Sequence, residues 1–249
     1  MNGTRGGKPP KGRPVIERAF DLLGGFDAEH RALLLADLAR RAAMPRSSAL
    51  RLARQLMATG ALEQLADGRY AVGLRMLEIA SLAPRGHGLR EAAMPSMEDL
   101  FHVTRQHVLL AVRDGAEALL VERLSTHDPS PVDYRIGGRL PLATTGVGQV
   151  LLAFAPTPVQ EHAISTFVPD GDVRTADDLR RTLAEVRRGD FALGSRTTMA
   201  TAAAPVRGPD GVVAAVSVVA PREQFAGSAY VPAVRAAARA ISRQLTGAW

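Results

Sequence analysis

The stretch that most restricts how this chain folds runs from Arg46 to Gly60. Ala49, Leu52, Ala53 and Leu56 recur at i, i+3, i+4 and i+7, so on a helix they share one buried stripe. Ser47, Arg51 and Arg54 recur at i, i+4 and i+7 on another side. One helix therefore carries an apolar face for a core and a basic, hydroxyl-bearing face for something outside it. Gly60, which takes the left-handed conformation cheaply, ends it. Asp67-Gly68 then stands between Ala61–Leu65 and Arg69–Val72, and Asp-Gly between two short alternating runs is a strong hairpin signal.

What precedes fits the same plan. Behind Pro14, the apolar positions Val15, Ala19, Leu22 and Leu23 predict a helix over Val15–Leu23, stopped by Gly24-Gly25. A second stripe, Leu34, Leu35, Leu38, Ala39 and Ala42, breaks at Met44-Pro45. Helix, helix, tight turn, helix and hairpin within about 60 residues make a winged helix-turn-helix, in which the third helix enters the major groove and the hairpin lies against the backbone or minor groove.

Charge agrees with that reading. The 249 residues carry a net +6. Residues 1–88 hold 14 basic against 8 acidic side chains, a surplus of six, whereas residues 89–249 hold 17 of each. An anionic partner for the first third follows, nucleic acid above all, because neutralised phosphates release counterions. A solvated basic surface with a basic tail is the plain alternative. Met1–Arg13, with four Gly, two Pro and four basic residues, reads as a disordered basic arm.

Residues 14–74 are thus assigned to the winged helix-turn-helix, 75–88 to a linker helix followed by a break over 83–88, and 89–249 to a second domain. There, Leu89–Val103 reads as helix, and Val108–Val112 and Ala118–Leu124 as strands about Asp114-Gly115. Tyr134–Leu142 reads as an extended piece, and Gly146–Ala155 and Asp177–Arg188 as helices. Ala200–Val206 and Val212–Val219 form a hairpin about Gly208–Gly211, and Val231–Leu245 closes as an amphipathic helix. A sheet covered by helices follows, α/β or α+β.

Zero cysteine excludes a disulfide scaffold, thiolate-held metals and a cysteine nucleophile. No run is long and apolar enough to span a bilayer and no secretory signal is visible, so a cytoplasmic protein that does not engage membranes is expected. Gly146-Val147-Gly148 lacks the third glycine and the following acid of a dinucleotide fingerprint, and neither Gly-x-Ser-x-Gly nor His-Glu-x-x-His occurs. His102 and His107, five apart, do not share a helix face. No enzyme, cofactor or metal is expected. With 4% aromatic residues, single-stranded or RNA readout is disfavoured.

Taken in order, these stretches resemble the IclR family of bacterial transcriptional regulators over nearly the whole chain. They are Leu38–Ala42 through Pro45–Ser48 to Arg51-Leu52, Asp67–Leu74, Arg135–Gly137 to Leu140–Leu142, Thr144–Ala153, Ala203–Val206 and Gly211–Pro221. The resemblance implies an α+β chain with an N-terminal winged helix-turn-helix joined by a helix to a C-terminal GAF-like α/β effector-binding domain. It also implies homodimers or homotetramers on roughly palindromic double-stranded DNA operators, with a small molecule altering dimer geometry and operator affinity. Repression is the expected mode.

The expected DNA contacts are Ser47, Ser48, Arg51 and Arg54, with Arg46 and Gln55 beside them. Hydroxyls at a helix start suit phosphate, and arginine bridges a guanine edge. Leu50 either touches a thymine methyl or packs, and Arg69 at the wing tip reaches phosphate. The family pocket maps onto Leu140, Leu142, Thr145, Gly146, Val147, Met199, Thr201 and Ser217. The free N–H groups of the helix opening at Gly146 can receive a carboxylate, or Thr145 is simply an N-cap and the apolar members core. Relatives usually carry an acidic pair and a longer loop after the strand starting at Phe191, and a cysteine where Thr201 stands. This chain has Gly194-Ser195-Arg196-Thr197 and is about three residues shorter there. Ser195 and Arg196 therefore join the expected site, and an inward Arg196 favours an anionic effector, a small organic acid. Two rivals remain: a small-molecule sensor or enzyme without sequence-specific DNA binding, and a sequence-tolerant DNA binder.

Overall fold

The structure is a computed structural model that describes residues 13–125, 134–195 and 198–247. The described residues up to Leu82 form one compact unit and those from Ala83 a second. The expected arm, apart from Arg13, lies outside the described residues.

The first unit contains helices α1 (Val15–Leu23), α2 (Leu35–Arg41), α3 (Arg46–Ala58) and α4 (Leu74–Ser81). Strands β1 (Ala32–Leu33), β2 (Leu62–Gln64) and β3 (Tyr70–Val72) pair antiparallel in the order β1-β3-β2. Its core gathers Leu22, Leu38, Ala49, Leu52, Ala53, Leu62 and Tyr70, so the α3 stripe is buried as its spacing demands. Each leucine-sized side chain buried this way contributes about 1.5–3 kcal/mol. The β2–β3 hairpin closes through Gly68, whose φ of +81° a residue with a Cβ adopts only at a cost, and Leu65 N–H donates to Arg69 O at 2.8 Å. α4 buries none of its residues.

The second unit opens with a π-helical turn, Pro84–Gly88, which runs directly into α5 (Leu89–Thr104). The break expected over 83–88 is therefore confined to its first residue and the one before it. Gly88 keeps right-handed helical angles, so the chain winds on instead of stopping. Strands β4 (His107–Asp114), β5 (Glu117–Leu124), β6 (Arg139–Pro141), β7 (Ala192–Ser195), β8 (Met199–Gly208) and β9 (Gly211–Pro221) form a sheet in the order β6-β5-β4-β9-β8-β7. Every pairing is antiparallel, which makes the unit α+β. Helices α6 (Gly146–Ala153), α7 (Thr157–Ser165), α8 (Ala176–Gly189) and α9 (Gly227–Gly247) complete it.

Strand alternation sorts the side chains into two cores. Val108, Leu110, Val216 and Val218 join Met97 of α5 and Ile241 of α9. Leu109, Ala111, Leu120 and Ala203 join Val150 and Leu152 of α6 and Leu179 and Leu183 of α8. The layer between β8, β9 and α9 is built largely of alanine: Ala202, Ala204, Ala214, Ala237 and Ala238 are all buried.

Element ends shift by a few residues from expectation, and three differences bear on the site. α6 stops at Ala153, two residues short. Only Arg139–Pro141 of the stretch 134–142 is strand, because Gly137 takes φ +75° and Gly138 N–H turns back to Arg135 O. α7 was not expected: of its nine residues only Val159, Ala163 and Ile164 are apolar and packed on the core, too few to show a period.

Candidate DNA-reading face and effector site

α3 begins after Pro45, which offers no side-chain cap, and its first bond is Ala49 N–H to Pro45 O. The N–H groups of Arg46, Ser47 and Ser48 thus remain open toward an anion, reinforced by the positive end of the helix dipole. Arg46, Ser47, Arg51, Arg54 and Gln55 are exposed, while Ser48 and Leu50 are half-buried. From Ser47 to Arg54 the helix rises about 10 Å, the height of about three stacked base pairs.

These arginines lack acidic partners, as Arg18 and Arg31 also do among the described residues, but within this unit only here do three such side chains share one helix. Elsewhere in the unit Arg13 pairs with Asp21, Arg40 with Asp37, Arg41 with Asp27 and Arg75 with Glu78. α3 holds no acidic residue, and among the described residues Arg46, Arg51 and Arg54 make no ion pair. Their guanidiniums are exposed and uncompensated.

The wing differs. Arg69 donates from Nε to Asp67 Oδ2 at 2.6 Å, and its backbone N–H reaches Asp67 Oδ1 at 3.0 Å. These bonds hold the Asp67 carboxyl below its ordinary range. Arg69 sits at the wing tip with its charge already shared.

In the second unit most expected effector residues converge where α6 meets the sheet. Thr145 is the N-cap: its Oγ1 accepts from Gly148 N–H at 3.2 Å and donates to Pro141 O at 2.7 Å. A Cβ on Gly146 would lie 2.6 Å from Thr201 Cγ2, so α6 rests directly on β8 there. Leu140, Leu142 and Val147 are buried in the same core, and Met199 packs against it half-buried. Ser195 is occupied elsewhere, its hydroxyl donating to Asp172 Oδ2 at 2.7 Å and its N–H to the same oxygen at 2.8 Å. Arg196 lies outside the described residues.

Two polar atoms break the apolar seal. Ser217 Oγ, 1% exposed, and Gln149 Oε1 have no hydrogen-bond partner among the described residues. Ser217 faces the α6 side of the sheet, in register with Leu109 and Ala203. Gln149 donates from Nε2 to Ala143 O at 3.2 Å and turns Oε1 toward Gly194. Leaving a buried polar group without a partner costs about 1–3 kcal/mol, so each of these two atoms calls for one. Ser217 is among the effector residues expected from the sequence; Gln149 is not. α6 is buried on every side, so its periodicity singles out no position.

Among the described residues, no helix is long and apolar enough to cross a membrane. Residues 15–66 match the family described as the IclR helix-turn-helix domain, and residues 83–243 the one described as bacterial transcriptional regulator IclR C-terminal. The chain is 31% identical to the glycerol operon regulatory protein of Streptomyces coelicolor, over 92% of this chain and 95% of that protein. It is 26% identical to the HTH-type transcriptional repressor AllR of Escherichia coli, over 57% and 53%. An IclR homolog from Microbacterium hydrocarbonoxydans, crystallised with 4-hydroxybenzoate, shares the fold with a TM-score of 0.87 and 33% identity, over 93% of this chain and 99% of that one.

Proposed function

Because this chain belongs to the IclR family of bacterial transcriptional regulators, we propose that it is a cytoplasmic, ligand-responsive repressor, not an enzyme, that reads a roughly palindromic operator as a homodimer or homotetramer. The observation that carries this is the exposed face of α3, where Arg46, Arg51 and Arg54 have no acidic partner. Ser47 and Ser48 join the open N–H groups on phosphate, Arg51, Arg54 and Gln55 face base edges, and Leu50 lies between groove and core. Arg69 exchanges Asp67 for a phosphate, a smaller gain because its ion pair is surrendered. The reading divides the chain into a DNA-binding part, residues 14–74, a connection within 75–88, and an effector-binding part from residue 89.

Apolar residues exposed in the first unit support self-association. Ile16 (73%) and Phe20 (64%) on α1, and Leu77 (67%) on α4 with Leu82 (82%) after it, are uncovered in the single chain.

For the effector we propose a small organic acid bound at the start of α6, with Gln149 Oε1 accepting a donor and the Ser217 hydroxyl donating to an oxygen. The ligand of the Microbacterium homolog, 4-hydroxybenzoate, has both a hydroxyl donor and a carboxylate and is the first compound to try.

Duplex affinity measured against salt tests the DNA reading. A dimer placing Arg46 and Arg69 of each copy on phosphate gives a log–log slope of about −4, with preference for an inverted repeat. A slope without that preference means a sequence-tolerant binder. Turnover of a small acid with neither slope nor preference means a sensor or enzyme.

A further inference from the structure

We propose that the second unit carries an additional anion site, for a compact dianion of the phosphate class, at the open edge of β8 beside α9. β7 ends where Ala192 pairs with Ala203, while β8 runs on to Gly208. Beyond that pair lies a shallow recess open to solvent, lined by Ala204, Pro205 and Ala238. Arg207, Arg235, Arg239 and Asp190 surround it.

Three guanidiniums against one carboxylate leave two positive charges unbalanced, which a dianion neutralises and a monoanion does not. Two of the three arginines are also held in place. Arg207 Nη2 donates to Asp190 Oδ1 at 2.7 Å, its guanidinium lies 5.3 Å from the Phe154 ring centre, and its backbone N–H is fixed by Ser242 Oγ at 2.8 Å. Arg235 lies 6.0 Å over the Phe191 ring. Arg239 stands one helical turn further along α9, and like charges at that spacing repel. Among the described residues neither Arg235 nor Arg239 has an ion-pair partner. Arginine forks stacked on aromatic faces match the oxygens of a phosphate with little further ordering. The recess uses none of Thr145, Gln149 or Ser217, so it is separate from the effector reading.

The test is an equilibrium titration of the full chain with inorganic phosphate at constant ionic strength, paired with thermal melts. One saturable phosphate per chain, raising the melting temperature, is expected. Arg239 is exposed, so Arg239→Gln keeps the fold, and it and Arg235→Gln each weaken phosphate by about tenfold. Melts without phosphate identify a variant that has simply lost its fold. Absence of a saturable site, or binding undiminished in Arg239→Gln, overturns the proposal. So does binding lost in Arg51→Ala, which moves the site to α3, and malonate binding as tightly as phosphate, which replaces the phosphate class with a dicarboxylate.

Discussion

Arg51 and Asp27 show how differently single charged side chains can be used in one unit. Arg51 is exposed and unpaired on α3, so removing it disturbs nothing inside the fold. Arg51→Ala is expected to lose about 1–3 kcal/mol on the cognate operator, with relaxed base preference, in a competition binding assay. Equal weakening on cognate and scrambled duplexes assigns Arg51 to phosphate alone. Asp27 instead ties the loop after α1. Its Oδ1 lies 2.8 Å from His30 Nδ1 and accepts from the His30 and Glu29 backbone N–H groups, and its Oδ2 meets Arg41. The His30 side-chain bond, first among these, lowers its pKa from 3.8 to about 2. A carboxylate depressed in the folded state stabilises fully above its unfolded value and loses that contribution as pH falls through the folded one. Acid melts of the wild type should therefore lose stability between about pH 4 and 2 through this group. Asp27→Asn should flatten the profile in that window, and an unchanged profile denies the tie.

At the scale of the element, α6 is the most constrained helix. All its residues are buried, and Gly148 passes so close to the preceding loop that a Cβ would sit 2.4 Å from Pro141 O and 2.7 Å from Leu142 Cα. Both obstacles are backbone and cannot swing aside. Gly148→Ala is expected to cost about 3 kcal/mol in urea unfolding, whereas relaxation of the loop would appear as a cost under about 1 kcal/mol. Elements with a buried stripe were legible in the sequence: α1, α3 and the β2–β3 hairpin follow from spacing and turn chemistry. α7 was not, because in nine residues it offers only Val159, Ala163 and Ile164 as apolar positions, too few for a periodic signal. The same distinction holds at the sites. The face of α3 is written in local periodicity. The meeting of Gln149, Gly194 and Thr201, and of Arg207 with Arg235 and Arg239, depends on strand pairing across long separations, which no local pattern encodes.

At the scale of the whole molecule, the apolar residues left uncovered on α1 and α4 give self-association a driving force. Ile16→Ser combined with Leu77→Ser should lower the association constant by about a hundredfold or more. Sedimentation would show the shift to a smaller species, and operator affinity would fall with it because a palindrome needs two copies. An unchanged sedimentation coefficient places the interface elsewhere.

The alanine layer between β8, β9 and α9 bears on how such a protein can change over time. Backbones brought this close by side chains of a single methyl leave no room for growth at Ala202 or Ala214. A mutational library across this layer should survive almost only where it keeps small residues. Diversification of a chain built this way is channelled to α3, the α6 site and the surface, where novelty can be added without re-spacing a helix and a sheet.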